Sequence, residues 1–199
     1  MDEPKSISEF RKQIYTMFPT QLNNSSIKVM WHAYQGSSAI ILANISVPLQ
    51  YHIANCLGHY EAAMGYRNIT AHPGESSVRK ARFYKDSMSS IMFPDKYFRN
   101  NLETQDSVFG KERGYHRNIS ASWTAICGSR CERLRIVDAD LIPEDVLLGL
   151  LGSVSSFSPD YPVNAMFMTE NIEEFYERFI GPNKKFFMSS FKVLNYENV

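Results

Sequence analysis

The chain has no glycine-rich phosphate loop, no zincin or Ser-His-Asp arrangement and no repeated Cys/His pairs at zinc-ligand spacing. Its three cysteines, Cys56, Cys127 and Cys131, are odd in number and follow no framework spacing, which argues against a disulfide-stapled secreted domain. No apolar run is long enough to cross a bilayer; Ala39–Ala43 and Val146–Leu151 are the longest of note. The N-terminus, Met1-Asp2-Glu3-Pro4-Lys5, lacks the apolar stretch of a signal peptide. The expected location is therefore the cytosol, or the inside of a host cell or particle. Net charge is absent too, with 21 Lys+Arg against 21 Asp+Glu. What remains is a chain of 199 residues, 44% hydrophobic and 13% aromatic, long enough to bury a core without metal or disulfide. One domain over residues 1–199 is expected.

The neutral total hides a sorted charge. Residues 1–78 carry five basic and five acidic groups. Residues 79–135 carry twelve basic against six acidic, a local net of +6. Residues 136–199 carry four basic against ten acidic, a local net of −6. A positive middle block and an acidic C-terminal block point to a polyanion partner, to self-contact, or to both.

Periodicity and punctuation predict a mainly α-helical fold, with a small two-stranded β element near residues 27–47 as the exception. Ser6 and Glu9 have capping-box spacing before an amphipathic stretch through Phe10, Ile14 and Phe18. The longest helix is predicted over 49–64, with Ile53, Leu57, Tyr60 and Met64 on one face. Further helices are predicted over 75–91, 94–98, 118–134 and 143–151, and one capped by Thr169. Leu134-Arg-Ile-Val-Asp138 also has the look of a short strand.

Four clusters carry potential chemistry. The basic block interleaves cations with aromatics through Arg79, Lys80, Arg82, Tyr84, Lys85, Lys96, Arg99, Lys111, Arg113 and Arg117. Cations hold phosphates and planar side chains stack on bases, so these ten residues are the candidate contacts for single-stranded RNA. Arg67-Asn-Ile-Thr-Ala-His72 resembles the short Arg-x4-His motif of the HEPN family of small helical ribonucleases. That resemblance implies metal-independent cleavage, with Arg67 and His72 acting on the 2′-hydroxyl and scissile phosphate. Cys127 and Cys131 would share a helix face, and without further ligands they predict no metal site. Asp138 and Asp140 would need a strand end and more carboxylates to hold Mg²⁺; a helix-capping role is expected instead.

The combined expectation is a non-enzymatic RNA-binding protein, without cofactor, that self-associates along nucleic acid as a viral nucleocapsid or coat subunit does. Two other readings stay open: the HEPN-like ribonuclease, and a protein-interaction adaptor or host-factor antagonist.

Overall fold

The computed structural model describes residues 1–18, 22–36, 39–79, 94–98, 107–110, 113–127, 130–155, 164–183 and 192–199. The predicted helical fold is replaced by an α/β architecture. Seven strands form one sheet: β1 Ile40–Ala43, β2 Arg67–His72, β3 Ser107–Phe109, β4 Tyr115–Ser120, β5 Arg133–Ile136, β6 Asn164–Met168 and β7 Lys192–Asn195, in the order β3-β4-β2-β5-β6-β1-β7. Six strands run parallel, and β3 joins β4 antiparallel at the edge.

Helices cover both faces, as a parallel sheet requires. On one face lie α1 (Ile7–Met17), α2 (Asn24–Gln35) and α3 (Val47–Ala63), packed on Ile40, Leu42, Met166 and Met168. Phe10 is the aromatic centre there, with ring centroids 5.4 Å from Trp31, 5.5 Å from Tyr34 and 5.0 Å from Tyr60. Two short helices, α4 (Pro94–Tyr97) and α5 (Trp123–Ile126), precede the long α6 (Glu144–Ser155). Then α7 (Ile172–Phe175) runs into a π-helical turn over Tyr176–Ile180. The second face is built on α6 and α7, where Leu147, Leu150, Phe175 and Phe179 meet Ile41, Leu134, Ile136 and Phe167. Alternate residues of each central strand thus feed different cores, the period-2 signature of a strand buried on both sides.

Several predicted boundaries hold. The Ser6 side chain accepts from the Glu9 amide at 3.2 Å and opens α1, and the longest described helix spans 47–63. Others fail for identifiable reasons. The stretch predicted as a helix over 118–134 is the end of β4, the single turn α5 and the start of β5. No hairpin forms near 27–47: residues 24–35 are helical, and β1 pairs in parallel with β6 and β7. Asn171, not Thr169, caps α7, accepting from the Glu174 amide at 3.2 Å. Of the helix predicted over 75–91, residues 75–79 are helical and the rest lies outside the described residues. No helix among the described residues is long and apolar enough to cross a membrane.

Polar strands account for the main error. The α3-facing positions of β2 and β4 are Asn68, Thr70, His72, His116 and Asn118, all buried. They satisfy one another: Thr70 Oγ1 lies 2.9 Å from His116 Nε2, and His72 Nε2 lies 2.8 Å from Asn118 Oδ1. A strand with a polar buried face carries no apolar run to read.

The α3–β4 seam is close-packed at its glycines. A Cβ on Gly114 would overlap the backbone carbonyl of Ala62, and one on Gly58 would sit 2.6 Å from the His116 ring. Backbone cannot yield as a side chain can. Gly114→Ala is therefore expected to destabilise by about 1–3 kcal/mol, the usual cost of overpacking, read from chemical denaturation.

Candidate functional site

The parallel strands end together at one edge of the sheet, and there β1 leads through three residues, Asn44-Ile45-Ser46, into the N-terminus of α3. In α/β sheets this edge is where ligands bind, and a helix N-terminus following a strand is a ready anion site. Asp138 follows β5 and Thr169 follows β6 on the same edge. Asn44 and Asp138 both hold left-handed backbone, at φ 56° and 50°, which short polar side chains tolerate.

Four backbone donors at this mouth are already committed. The amide of Ile45 donates to Thr169 O (3.4 Å), and those of Leu49 and Gln50 to Ser46 O (2.9 and 3.0 Å). Pro48 has no N–H. The Val47 amide donates to the Glu170 carboxylate at 3.2 Å, so an acidic side chain of this chain holds the positive end of α3. Beneath it the fully buried Gln50 bolts two loops together. Its Nε2 donates to Ile45 O at 2.9 Å, and its Oε1 accepts from the Asp138 amide at 2.8 Å. Thr169 Oγ1, also buried, donates to Asn171 O (3.1 Å) and accepts from the Asn171 amide (3.0 Å). Gln50→Ala strands a buried amide donor and a buried acceptor. It should cost about 1–3 kcal/mol by denaturant titration.

The sequence-predicted site residues scatter. Lys80, Arg82, Tyr84, Lys85, Arg99 and Lys111 lie outside the described residues. Lys96 is exposed, its Nζ 5.4 Å from the Tyr97 ring centroid. Arg113 is exposed and pairs with Glu132 at 3.5 Å. Only Arg79 and Arg117 among the ten share a described cavity. Arg133 and Arg135, counted in the positive block, are not surface charges at all: both are buried against Glu61. A charge tally along the chain overstates the surface field by such pairs.

Arg67 and His72 do not form a catalytic pair. They open and close β2, and five residues of strand place them about 16 Å apart on opposite faces. His72 is fully buried, stacked on Tyr51 at 5.3 Å, and burial pushes its pKa down to about 4. It is neutral near pH 7. Cys131 is buried near the Ser153 hydroxyl (3.9 Å) and its thiol is pushed up to about 12 by burial, while Cys127 is exposed at the end of α5. Asp138 does follow a strand, as Leu134–Asp138 suggested, with a 3₁₀ turn over Ala139–Leu141 after it. Among the described residues no group of three or more His, Cys, Asp or Glu could hold a metal.

No role at this site is read in the sequence for Gln50, Thr169 or Glu170, and Thr169 is expected there only as a helix cap. Their signal is faint: each follows a short apolar stretch, Ile40–Ala43 or Ala165–Met168, that periodicity alone does not separate from buried helix.

No protein-family profile and no curated protein sequence matches this chain. Solved structures do. The large terminase of a thermophilic bacteriophage superposes with a TM-score of 0.60 at 10% identity, covering 88% of this chain and 46% of that one. The same terminase in complex with ADP gives 0.59 at 11%, covering 87% and 45%. The ATPase domain of the Thermus phage P74-26 large terminase gives 0.60 at 11%, covering 83% and 72%. The fold resembles that of a phage terminase ATPase domain. The chain spans about half the length of the first of these terminases. This finding overturns both the helical fold and the RNA-binding coat-subunit reading, and with them the helical HEPN alternative.

A terminase ATPase-like fold implies ATP, and P-loop enzymes hold its phosphates with a glycine-rich loop, a Lys and a Ser/Thr before and at the helix start. The residues present do not fit that group. The β1–α3 connection has no Gly and no Lys, the Ile45 and Val47 amides are bonded to acceptors of the chain itself, and the anion at the helix N-terminus would meet Glu170. P-loop enzymes also hold Mg²⁺ with an Asp, and Asp138, two residues past β5, is the Asp this edge offers.

Proposed function

We propose that this chain is an ATPase-fold module of a terminase-type DNA-packaging assembly that does not itself hydrolyse ATP. The fold supports the assembly class, through its likeness to terminase ATPase domains. One observation carries the loss of hydrolysis: the β1–α3 mouth, where phosphates would be cradled, is closed by Pro48, Glu170 and Gln50. Without a Lys and free amides the site cannot neutralise charge developing on a transferred phosphoryl group. A module of this kind works by contact, as a scaffold or as a fixed-state neighbour of active subunits. Self-association, expected from the sorted charge, belongs to this reading.

The test is an ATPase assay on the purified chain and on Asp138→Asn, with and without DNA. Phosphate release should stay at the buffer rate in both. Turnover that Asp138→Asn abolishes, or a Mg-ATP-dependent rise in Tm that the same substitution removes, would overturn the proposal.

A further inference from the structure

A cavity of about 310 Å³ opens at the end of β4, away from the β1–α3 mouth, between that strand and the helical residues 75–79. Arg117 reaches it from β4 and Arg79 from the helical segment. Both are exposed, and neither has an ion-pair partner among the described residues. Asn118 and Ser120 add polar groups to the wall. The Asn118 carboxamide itself faces α3, where its Oδ1 lies 2.8 Å from His72 Nε2. Ser120 supplies a hydroxyl.

We propose that this cavity binds a phosphate group. Two guanidiniums from separate elements and a hydroxyl match the several acceptor oxygens of a phosphate, and an Arg fork binds such an anion through paired hydrogen bonds. Glu75 stands on the same wall and lowers the local charge to a net of one positive. The site requires no nucleotide at the β1–α3 mouth, so it stands or falls separately from the loss of hydrolysis.

Phosphate could arrive as a free anion, on a mononucleotide or in a nucleic-acid backbone, and calorimetric titration separates the three. The probes are inorganic phosphate, ADP without metal, and a short duplex DNA, each against wild type, Arg79→Gln/Arg117→Gln and Glu75→Gln. At least one probe should bind, and the double variant should weaken it by about tenfold or more, since a hydrogen bond to a charged group is worth about 1.5–3 kcal/mol. Glu75→Gln should tighten the same probe several-fold. A preference for DNA, with an affinity that falls on adding salt, identifies the backbone as the source. Preference for phosphate or ADP identifies a small-anion site. Binding unchanged in the double variant, or no binding of any probe, overturns the proposal; circular dichroism confirms that the exposed substitutions leave the fold intact.

Discussion

Glu61→Gln should be the most destabilising single polar substitution in this chain. Glu61 is wholly buried at the end of α3, and its carboxylate takes hydrogen bonds from Arg135, from Asn68 and, at 3.1 Å, from Arg133. Arg135 is fully buried, with its Nη1 donating to Asn164 Oδ1 at 2.8 Å. Arg133 is held further by the Tyr34 carbonyl at 2.6 Å and lies 3.7 Å from the Tyr66 ring centroid. One carboxylate therefore neutralises two guanidiniums in the sheet interior. Burial together with the Arg133 charge holds the Arg135 pKa below its ordinary value, despite Glu61. For Arg133 the balance goes the other way: burial opposes the charge, but Glu61 and the flanking tyrosines raise its pKa. Removing the single negative charge leaves two buried cations facing each other. Breaking such a cluster costs about 3–5 kcal/mol. In a chain of this size that lowers Tm by roughly 6–20 °C. Glu61→Gln/Arg135→Met should recover much of the loss, because replacing a buried ion pair with apolar bulk is often neutral. A drop in Tm of only a degree or two in Glu61→Gln would show that water reaches the cluster.

The same cluster shows what the sequence could and could not convey. Helix signals were local and legible. Ser6 caps α1, the long breaker-free stretch after Pro48 is α3, and Glu144 and Asp145 open α6. Strands were not, because their buried faces are partly ionic. Arg133 and Arg135 alternate with Leu134 and Ile136 in β5, which reads as a half-exposed strand with a solvated basic side. Their partner Glu61 is more than 70 residues away, and no spacing rule links them. Parallel pairing adds to the difficulty: β1 meets β6 and β7 across more than 120 residues, with no hairpin turn to announce the contact.

The candidate site was legible only as fragments. Leu134–Asp138 suggested a strand ending in a carboxylate, and Arg79 and Arg117 stood among the expected anion contacts. Neither fragment says what it faces. The significance of Asp138 depends on Asn44-Ile45-Ser46 lying on the same sheet edge, and that depends on strand order. An absence is informative in a different way. The missing glycine-rich loop argues against phosphate-handling chemistry, yet the fold that usually carries that chemistry is present without it. Fold and site chemistry are separable, so a missing motif does not exclude an architecture.

Acid should unfold this protein early, and His72 should set much of the onset. Its ring is buried between Tyr51 and Asn118, and its pKa falls from 6.5 to about 4, chiefly through burial, with the Asn118 hydrogen bond acting against the shift. The unfolded chain takes up a proton at His72 near pH 6.5, while the folded chain resists until about pH 4. Between those values the unfolded state binds more protons, so stability is complete above pH 6.5 and drains away as pH falls toward 4. Each pH unit inside that window is worth about 1.4 kcal/mol, about 2 kcal/mol between pH 6.5 and 5, before most carboxylates titrate. His72→Gln keeps a donor for Asn118 and removes the titration. Its urea-unfolding free energy should therefore change by about 2 kcal/mol less than that of wild type from pH 7 to pH 5. His52 and His32 also have their pKa values lowered by burial, in His32 with Lys192 and Lys28 acting the same way, so a residual slope belongs to those rings and should shrink in His32→Gln/His52→Gln/His72→Gln. Parallel profiles for wild type and His72→Gln would mean that the ring is hydrated in the folded state, and that the β2–β4 polar seam is open to water.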